Sequence, residues 1–77
     1  MLLSQMKVGE KGRIAQIQSG KTLYRHRLIA LGLIPGTEFI VSRIAPLGDP
    51  VEIKTRGFAV SLRKDEAAIL VIDEVAS

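Results

Sequence analysis

The spacing of apolar positions changes along the chain, and each change marks an element. Lys7-Val8-Gly9-Glu10-Lys11-Gly12 breaks the apolar pattern and reads as a turn, with two glycines allowing positive φ. Arg13 to Gln18 follows as a strand. Its apolar residues Ile14, Ala15 and Ile17 do not alternate cleanly, which predicts a bulge or burial on both faces. From Thr22 to Leu31 the period moves from about 2 towards about 3.6. Tyr24, Leu28 and Leu31 then share one helical stripe, with Leu23 at its edge. Ser19 or Thr22 can supply the N-cap hydroxyl. Gly32 suits the left-handed C′ position, and Leu33 at C″ should pack back on Leu28 as a Schellman closure requires.

Beyond the helix the period returns to two. Pro35-Gly36 fits the central positions of a type II turn, since proline presets one φ and glycine permits the positive one. A strand from Thr37 to Ala45 follows, then the stiff loop Ala45-Pro46-Leu47-Gly48-Asp49-Pro50. Val51 to Thr55 alternates with β-branched residues inward, Arg56-Gly57 makes a tight hairpin connection, and Phe58, Val60 and Leu62 alternate with Ala59 and Ser61. Arg63 to Glu66 reads as a helical turn, and Ile69 to Ile72 as a last, heavily buried strand. The expected fold is mostly β. It is a small SH3-like barrel of about five strands with one α-helix between the first and second, and an OB-type barrel is its nearest competitor. Closure would remove exposed sheet edges.

Length and composition narrow this picture. A chain of 77 residues is expected to be one domain spanning residues 1–77. Such a domain buries only roughly 60% of its unfolded surface. With no cysteine, the apolar 47% of the chain must form the core without disulfide staples. Lysine and arginine outnumber acids 11 to 8, a mild net charge of +3. The aromatics Tyr24, Phe39 and Phe58 are scattered, so the stacking platforms of a dedicated nucleic-acid binder are missing from the pattern. The longest uncharged stretch, Leu28 to Thr37, contains two glycines and a proline, and a membrane helix needs about 20 apolar residues. The opening residues lack the basic start and long apolar run of a signal peptide. A cytoplasmic site of action is expected.

Candidate chemistry is sparse. The single histidine, His26, falls on the helix face opposite Tyr24, Leu28 and Leu31, away from any nucleophile or orienting acid. The carboxylate pairs Asp65-Glu66 and Asp73-Glu74 are adjacent in sequence, so their side chains diverge and cannot face one substrate. No chelating spacing of histidine and carboxylate stands on one helix face, so no metal or cofactor is expected. Gln18-Ser19-Gly20-Lys21-Thr22 carries the Gly-Lys-Thr of a phosphate loop, but Ala15 stands where the first glycine belongs, and a capped helix start explains it better. No enzymatic activity is expected.

Three features point to a partner instead. On the helix, Arg25 and Arg27 flank the buried stripe while Ile29 projects nearly opposite it beside His26. The hairpin around Lys54-Thr55-Arg56-Gly57 adds positive charge. In the loop, Pro46 and Pro50 limit conformational freedom, so presenting Leu47 would cost little ordering entropy. The composition alone leaves Leu47 equally compatible with capping one end of the barrel.

Leu31-Gly32-Leu33-Ile34-Pro35-Gly36-Thr37, then Arg43 to Ile53 containing Ala45-Pro46-Leu47-Gly48-Asp49-Pro50, then Val60-Ser61-Leu62-Arg63-Lys64, resemble the ferrous iron transport protein A (FeoA) family in order and spacing. The resemblance runs from near Gly9 to the last strand. It implies an SH3-like barrel and a cytoplasmic accessory protein, neither enzyme nor established iron carrier, that regulates the membrane ferrous iron permease FeoB. Contact with that permease is expected through Leu47, Gly48 and Asp49, together with Arg25, His26 and Ile29 on the helix. Competing readings are a small basic barrel on RNA or the ribosome, using Lys54 and Arg56, and an iron-sensing SH3-like module. Oligomeric state is left open, a homo-oligomer being compatible with a small barrel that carries a hairpin.

Overall fold

The first strand shows how the irregular apolar spacing is resolved. In the computed structural model, which describes residues 1–20 and 22–75, β1 runs Lys11–Ile17 and pairs antiparallel with β5, Leu70–Glu74. Ile14 opposes Ile72 and Gln16 opposes Val71, so Ala15 is the extra residue of a β-bulge. The bulge turns the strand and lets Ile14 stay buried while Ala15 and Ile17 are half-buried. The expected bulge is present. The expected turn at Gly9 and Gly12 is only half right. Gly9 has φ +93, but Gly12 has no positive φ and already lies in β1. A Cβ on Gly12 would stand 2.6 Å from Ile72 Cγ2 and 2.9 Å from the Phe39 ring, so close packing excludes a side chain there.

α1 covers Thr22–Ala30. Its core face is Leu28, with Tyr24, and Leu31 just past the helix end, half-buried. The helix closes as the sequence predicts. The Gly32 N–H donates to the Ile29 carbonyl and the Leu33 N–H to the Leu28 carbonyl, both at 2.9 Å, with Gly32 at φ +83 and both leucines fully buried. Thr22 is the first helical residue, and Lys21 of the Gly-Lys-Thr sequence lies outside the described residues. The type II turn follows, with the Thr37 N–H on the Ile34 carbonyl at 3.0 Å and Gly36 at φ +97.

The sheet continues with β2 (Glu38–Ile44), β3 (Val51–Lys54) and β4 (Ala59–Leu62), then the helical turn α2 (Lys64–Ala67) leads into β5. The five strands lie in the order β4-β3-β2-β1-β5, all antiparallel. A second bulge at Ser42, between the pairs Val41 with Ile53 and Arg43 with Glu52, bends β2. The Ser42 hydroxyl meets the backbone carbonyl and a carboxylate oxygen of Glu52, at 3.1 and 2.9 Å. Leu28, Leu33, Phe39, Val41, Ile53, Leu62, Leu70 and Ile72 form the centre of one core, joined by Leu3 and Met6 of the N-terminal segment.

The hydrogen-bonded order of the sheet is open, with β4 and β5 at the two ends. The outer edge of β5 is taken by the start of the chain: the Ile72 N–H donates to the Met1 carbonyl at 2.7 Å, and Leu2 bridges Val71. β4 is carried to β5 by α2 rather than by a ladder. The β5 edge is thus protected by the N-terminal segment, not by closure. Phe58 also departs from the expected alternation. It closes the hairpin, accepting the Thr55 N–H at 2.8 Å, and is 42% exposed instead of inward.

Candidate functional site

The loop between β2 and β3 is built as a turn within a closed loop. The Gly48 N–H donates to the Ala45 carbonyl at 2.7 Å, which places Pro46 and Leu47 at the two central turn positions. Gly48 follows in the left-handed region at φ +83, and the Ala45 N–H closes the base on the Pro50 carbonyl at 3.1 Å. Asp49 then ties the loop to the body of the domain. One of its carboxylate oxygens accepts the Lys64 N–H at 2.9 Å, at the first residue of α2. A helix start leaves such donors without an intrahelical partner, so Asp49 acts as a cap supplied from fifteen residues upstream.

Leu47 is left with no place in the core. It is 95% exposed, the most exposed large apolar side chain described. The alternative in which Leu47 folds back over the barrel end is therefore excluded. Of the three loop residues expected to meet a partner, Gly48 shapes the turn, Asp49 fixes it to α2, and Leu47 alone presents a free side chain.

The helix divides its residues in a similar way. Arg25 Nη1 donates to the carbonyls of Ile17 and Gln18, at 2.9 and 3.1 Å, tying the helix to the end of β1. Arg27 pairs with Glu66 of α2. Glu66 is only 5% exposed, and its other carboxylate oxygen accepts the Arg63 N–H at 3.0 Å. Both arginines are thereby drawn to the flanks. Leu23, His26, Ile29 and Ala30 are left exposed, and the apolar Ile29 and Leu23 stand in solvent at 48% and 74%. A surface helix ordinarily shows polar residues there.

The two patches do not merge. Between α1 and the loop lies a depression of about 510 Å³ lined by Tyr24, Arg27, Pro50, Ser61, Arg63 and Glu66 among others, and neither Leu47 nor Ile29 lines it. Sequence reasoning missed the elements that hold this region together. Glu66 gave no sign of burial, because an acid on a short polar turn reads as solvated. The link from Asp49 to Lys64 joins residues whose proximity only the fold creates. One local signal was legible, since Glu66 stands three residues after Arg63 at the capping-box position.

Among the described residues no group of three or more histidine, cysteine or acidic side chains is arranged to hold a metal ion. No buried side-chain nitrogen or oxygen there lacks a hydrogen-bond partner, and no described helix is long and apolar enough to cross a membrane.

Fold and surface together define the class: a small SH3-like β domain that offers exposed apolar side chains on a rigid frame. The FeoA domain model matches residues 1–74, and the chain belongs to that family. It is 31% identical over 77 residues to a fusion of Fe(2+) transport protein A with the Fe(2+) transporter FeoB from Porphyromonas gingivalis, spanning all of this chain and 9% of that protein. It is 34% identical to the FeoA protein of Chlorobium tepidum solved by solution NMR, with a TM-score of 0.85 over 99% of this chain and 71% of that one. It is also similar to a zinc-complexed FeoA of Stenotrophomonas maltophilia, described as an SH3 domain protein and a candidate ferrous iron transport activating factor. That likeness is 25% identity and a TM-score of 0.80, over 95% of this chain and 89% of that one. The family is thus associated with ferrous iron transport.

Proposed function

We propose that the chain is a cytoplasmic accessory module of ferrous iron uptake, a single domain over residues 1–77 that regulates a FeoB-type permease by protein–protein contact and performs no catalysis itself. The exposure of Leu47 on a pinned turn is the observation that carries this reading. An apolar side chain held in solvent by a stiff loop loses little freedom when it enters a partner's pocket. The helix surface of Leu23, His26 and Ile29 supplies a second apolar contact. Arg25 supports that face through its bonds to β1, and Gly48 and Asp49 support the loop. The P. gingivalis relative carries its FeoA and FeoB parts on one polypeptide, an arrangement that raises the effective concentration of one part at the other.

The test is capture of the permease's cytosolic portion by the wild-type chain and by Leu47→Asp. Loss of capture with an unchanged thermal transition supports the contact, and capture equal to wild type overturns it. Ferrous iron flux through the permease, measured with and without the chain, then separates regulation from assembly. Two outcomes favour the competing readings. Salt-sensitive RNA retention lost with Arg56→Ala would indicate nucleic-acid association, and stoichiometric ferrous iron binding under anaerobic conditions would indicate iron sensing.

A further inference from the structure

The outer face of the sheet carries a second feature, away from Leu47 and from α1. Register places Lys11 of β1 opposite Ile40 of β2, and Ile40 opposite Lys54 of β3. The three side chains therefore lie in one row on one face, with a half-buried isoleucine between two exposed lysines. Cross-strand neighbours have Cα atoms about 5 Å apart, so the two lysines stand about 10 Å apart across Ile40. The β3–β4 hairpin brings Arg56 and the half-exposed Phe58 to the same place, and together these residues line a groove of about 650 Å³.

The charges of this groove are unbalanced. Its one acidic side chain, Glu38, is taken by Arg13 at 3.3 Å from the neighbouring position on β1. Lys11, Lys54 and Arg56 have no ion-pair or side-chain hydrogen-bond partner among the described residues. An apolar floor between unpaired cations recognises an anionic ligand that also has something apolar to bury.

We infer that this groove docks an extended acidic segment of a partner protein, with two carboxylates meeting Lys11 and Lys54 and an intervening apolar side chain resting on Ile40 and Phe58. An extended chain rises about 3.3 Å per residue with alternate side chains on one face. An acid, an apolar residue and an acid at positions i, i+2 and i+4 therefore share a face and span about 13 Å, within reach of two long flexible lysines about 10 Å apart. Phe58 is the single half-exposed aromatic in the groove, which leaves successive nucleobases no series of stacking platforms. A second copy of the chain is a poor match as well. Its exposed acids offer no such spacing: Asp73 and Glu74 are adjacent on β5 and point to opposite faces, Glu38 and Asp49 are held by Arg13 and the Lys64 N–H, and Asp65 stands beside the buried Glu66. The inference does not rest on the contact proposed for Leu47.

The probe is a peptide carrying fluorescein on its N-terminal amine, fluorescein-Gly-Glu-Ser-Leu-Ser-Glu-Gly-amide, which places Glu, Leu and Glu on one face when extended. It is followed by fluorescence anisotropy and by amide shifts of the isotope-labelled chain. A version with glutamine for both glutamates and a labelled uridine decamer serve as controls. The acidic peptide should bind saturably and shift the amides of Ile40, Lys54 and Phe58, while the glutamine version should not. Lys11→Glu and Lys54→Glu should each weaken binding by about tenfold, the scale of one charge-assisted contact. Leu47→Asp should leave it unchanged. Lys11→Gln and Lys54→Gln provide the same test should either charge reversal unfold the domain. The inference is overturned by absent saturation, by equal binding of the glutamine peptide, by preferred binding of the uridine decamer, by shifts on α1 instead of the groove, or by lysine variants that bind as wild type.

Discussion

The two ends of β3 carry loops built on opposite plans. Before β3, residues 45–50 use their polar groups inside the domain. Asp49 caps α2, the backbone closes a turn and the loop base, and the group left over is an apolar leucine. After β3, the hairpin at residues 55–58 closes on a bond between Thr55 and Phe58, supported by the Thr55 hydroxyl, and leaves Arg56 without an ion-pair or side-chain hydrogen-bond partner among the described residues. One end of a four-residue strand thus offers a rigid apolar tip, and the other offers positive charge beside an apolar floor. The difference shows that exposure alone says little about recognition. What distinguishes a surface group is whether the fold has already used its bonding capacity, and Asp49 and Leu47, two residues apart, fall on opposite sides of that line.

The largest expected effect comes from removing what the two loops share. Ile53 is fully buried at the centre of β3 and opposes both Val41 and Val60. Ile53→Ala should destabilise the domain by about 3 kcal/mol, lost burial plus the cavity left behind. In a domain this small that is a large share of total stability, so both loops should lose their order together. Chemical denaturation measures the loss. If amides in residues 45–50 and 55–58 broadened at different denaturant concentrations, β3 would not be the element that couples them.

A smaller effect should separate the two ends. Gly48 holds φ +83 with nothing near its missing Cβ, so Gly48→Ala meets backbone strain alone and no clash. The expected cost is about 1–2 kcal/mol. The turn around Pro46 and Leu47 should rearrange to relieve it. Capture of the permease portion should fall, while peptide binding at the Lys11–Lys54 groove should stay at the wild-type level. A parallel loss of both would mean that the strand transmits loop strain from one end to the other.

Much of this architecture was legible from residue order, and for a definite reason. Gly32 after the Leu28 stripe, Pro35-Gly36, the awkward spacing of Ile14, Ala15 and Ile17, and the alternation of Val51 and Ile53 are local signals, each set by neighbouring residues. They were sufficient for the helix closure, the type II turn, the first bulge and the inward face of β3. The features that were not legible depend on residues brought together only by the fold. Gly12 reads as a turn glycine until Phe39 and Ile72 close on it. Barrel closure was a reasonable expectation for five short strands, but Met1 and Leu2 had already occupied the edge of β5. In the candidate site the sequence pointed to Leu47 and Ile29 by their apolar character. It gave no means of telling that Arg25 and Asp49, their polar neighbours, are held by bonds to the domain's own backbone.

Those held neighbours give the smallest effect and the sharpest test of the comparison. Asp49→Ala removes one exposed capping contact from the four-residue helix α2, and should cost about 1 kcal/mol of stability, read as a modest drop in the denaturation midpoint. Its effect on partner capture should be larger than its effect on folding, because the loop then loses its tie to Lys64 and Leu47 becomes more costly to order on binding. If Asp49 acts through Leu47, the two substitutions cannot add: in Leu47→Asp there is no apolar tip left to position, so adding Asp49→Ala should weaken capture no further. A double-mutant cycle on capture by the permease portion measures this directly. A large coupling between the two sites means that Asp49 positions Leu47. Independent, additive losses would mean that Asp49 touches the partner in its own right, and that its bond to Lys64 leaves its second carboxylate oxygen free to do so.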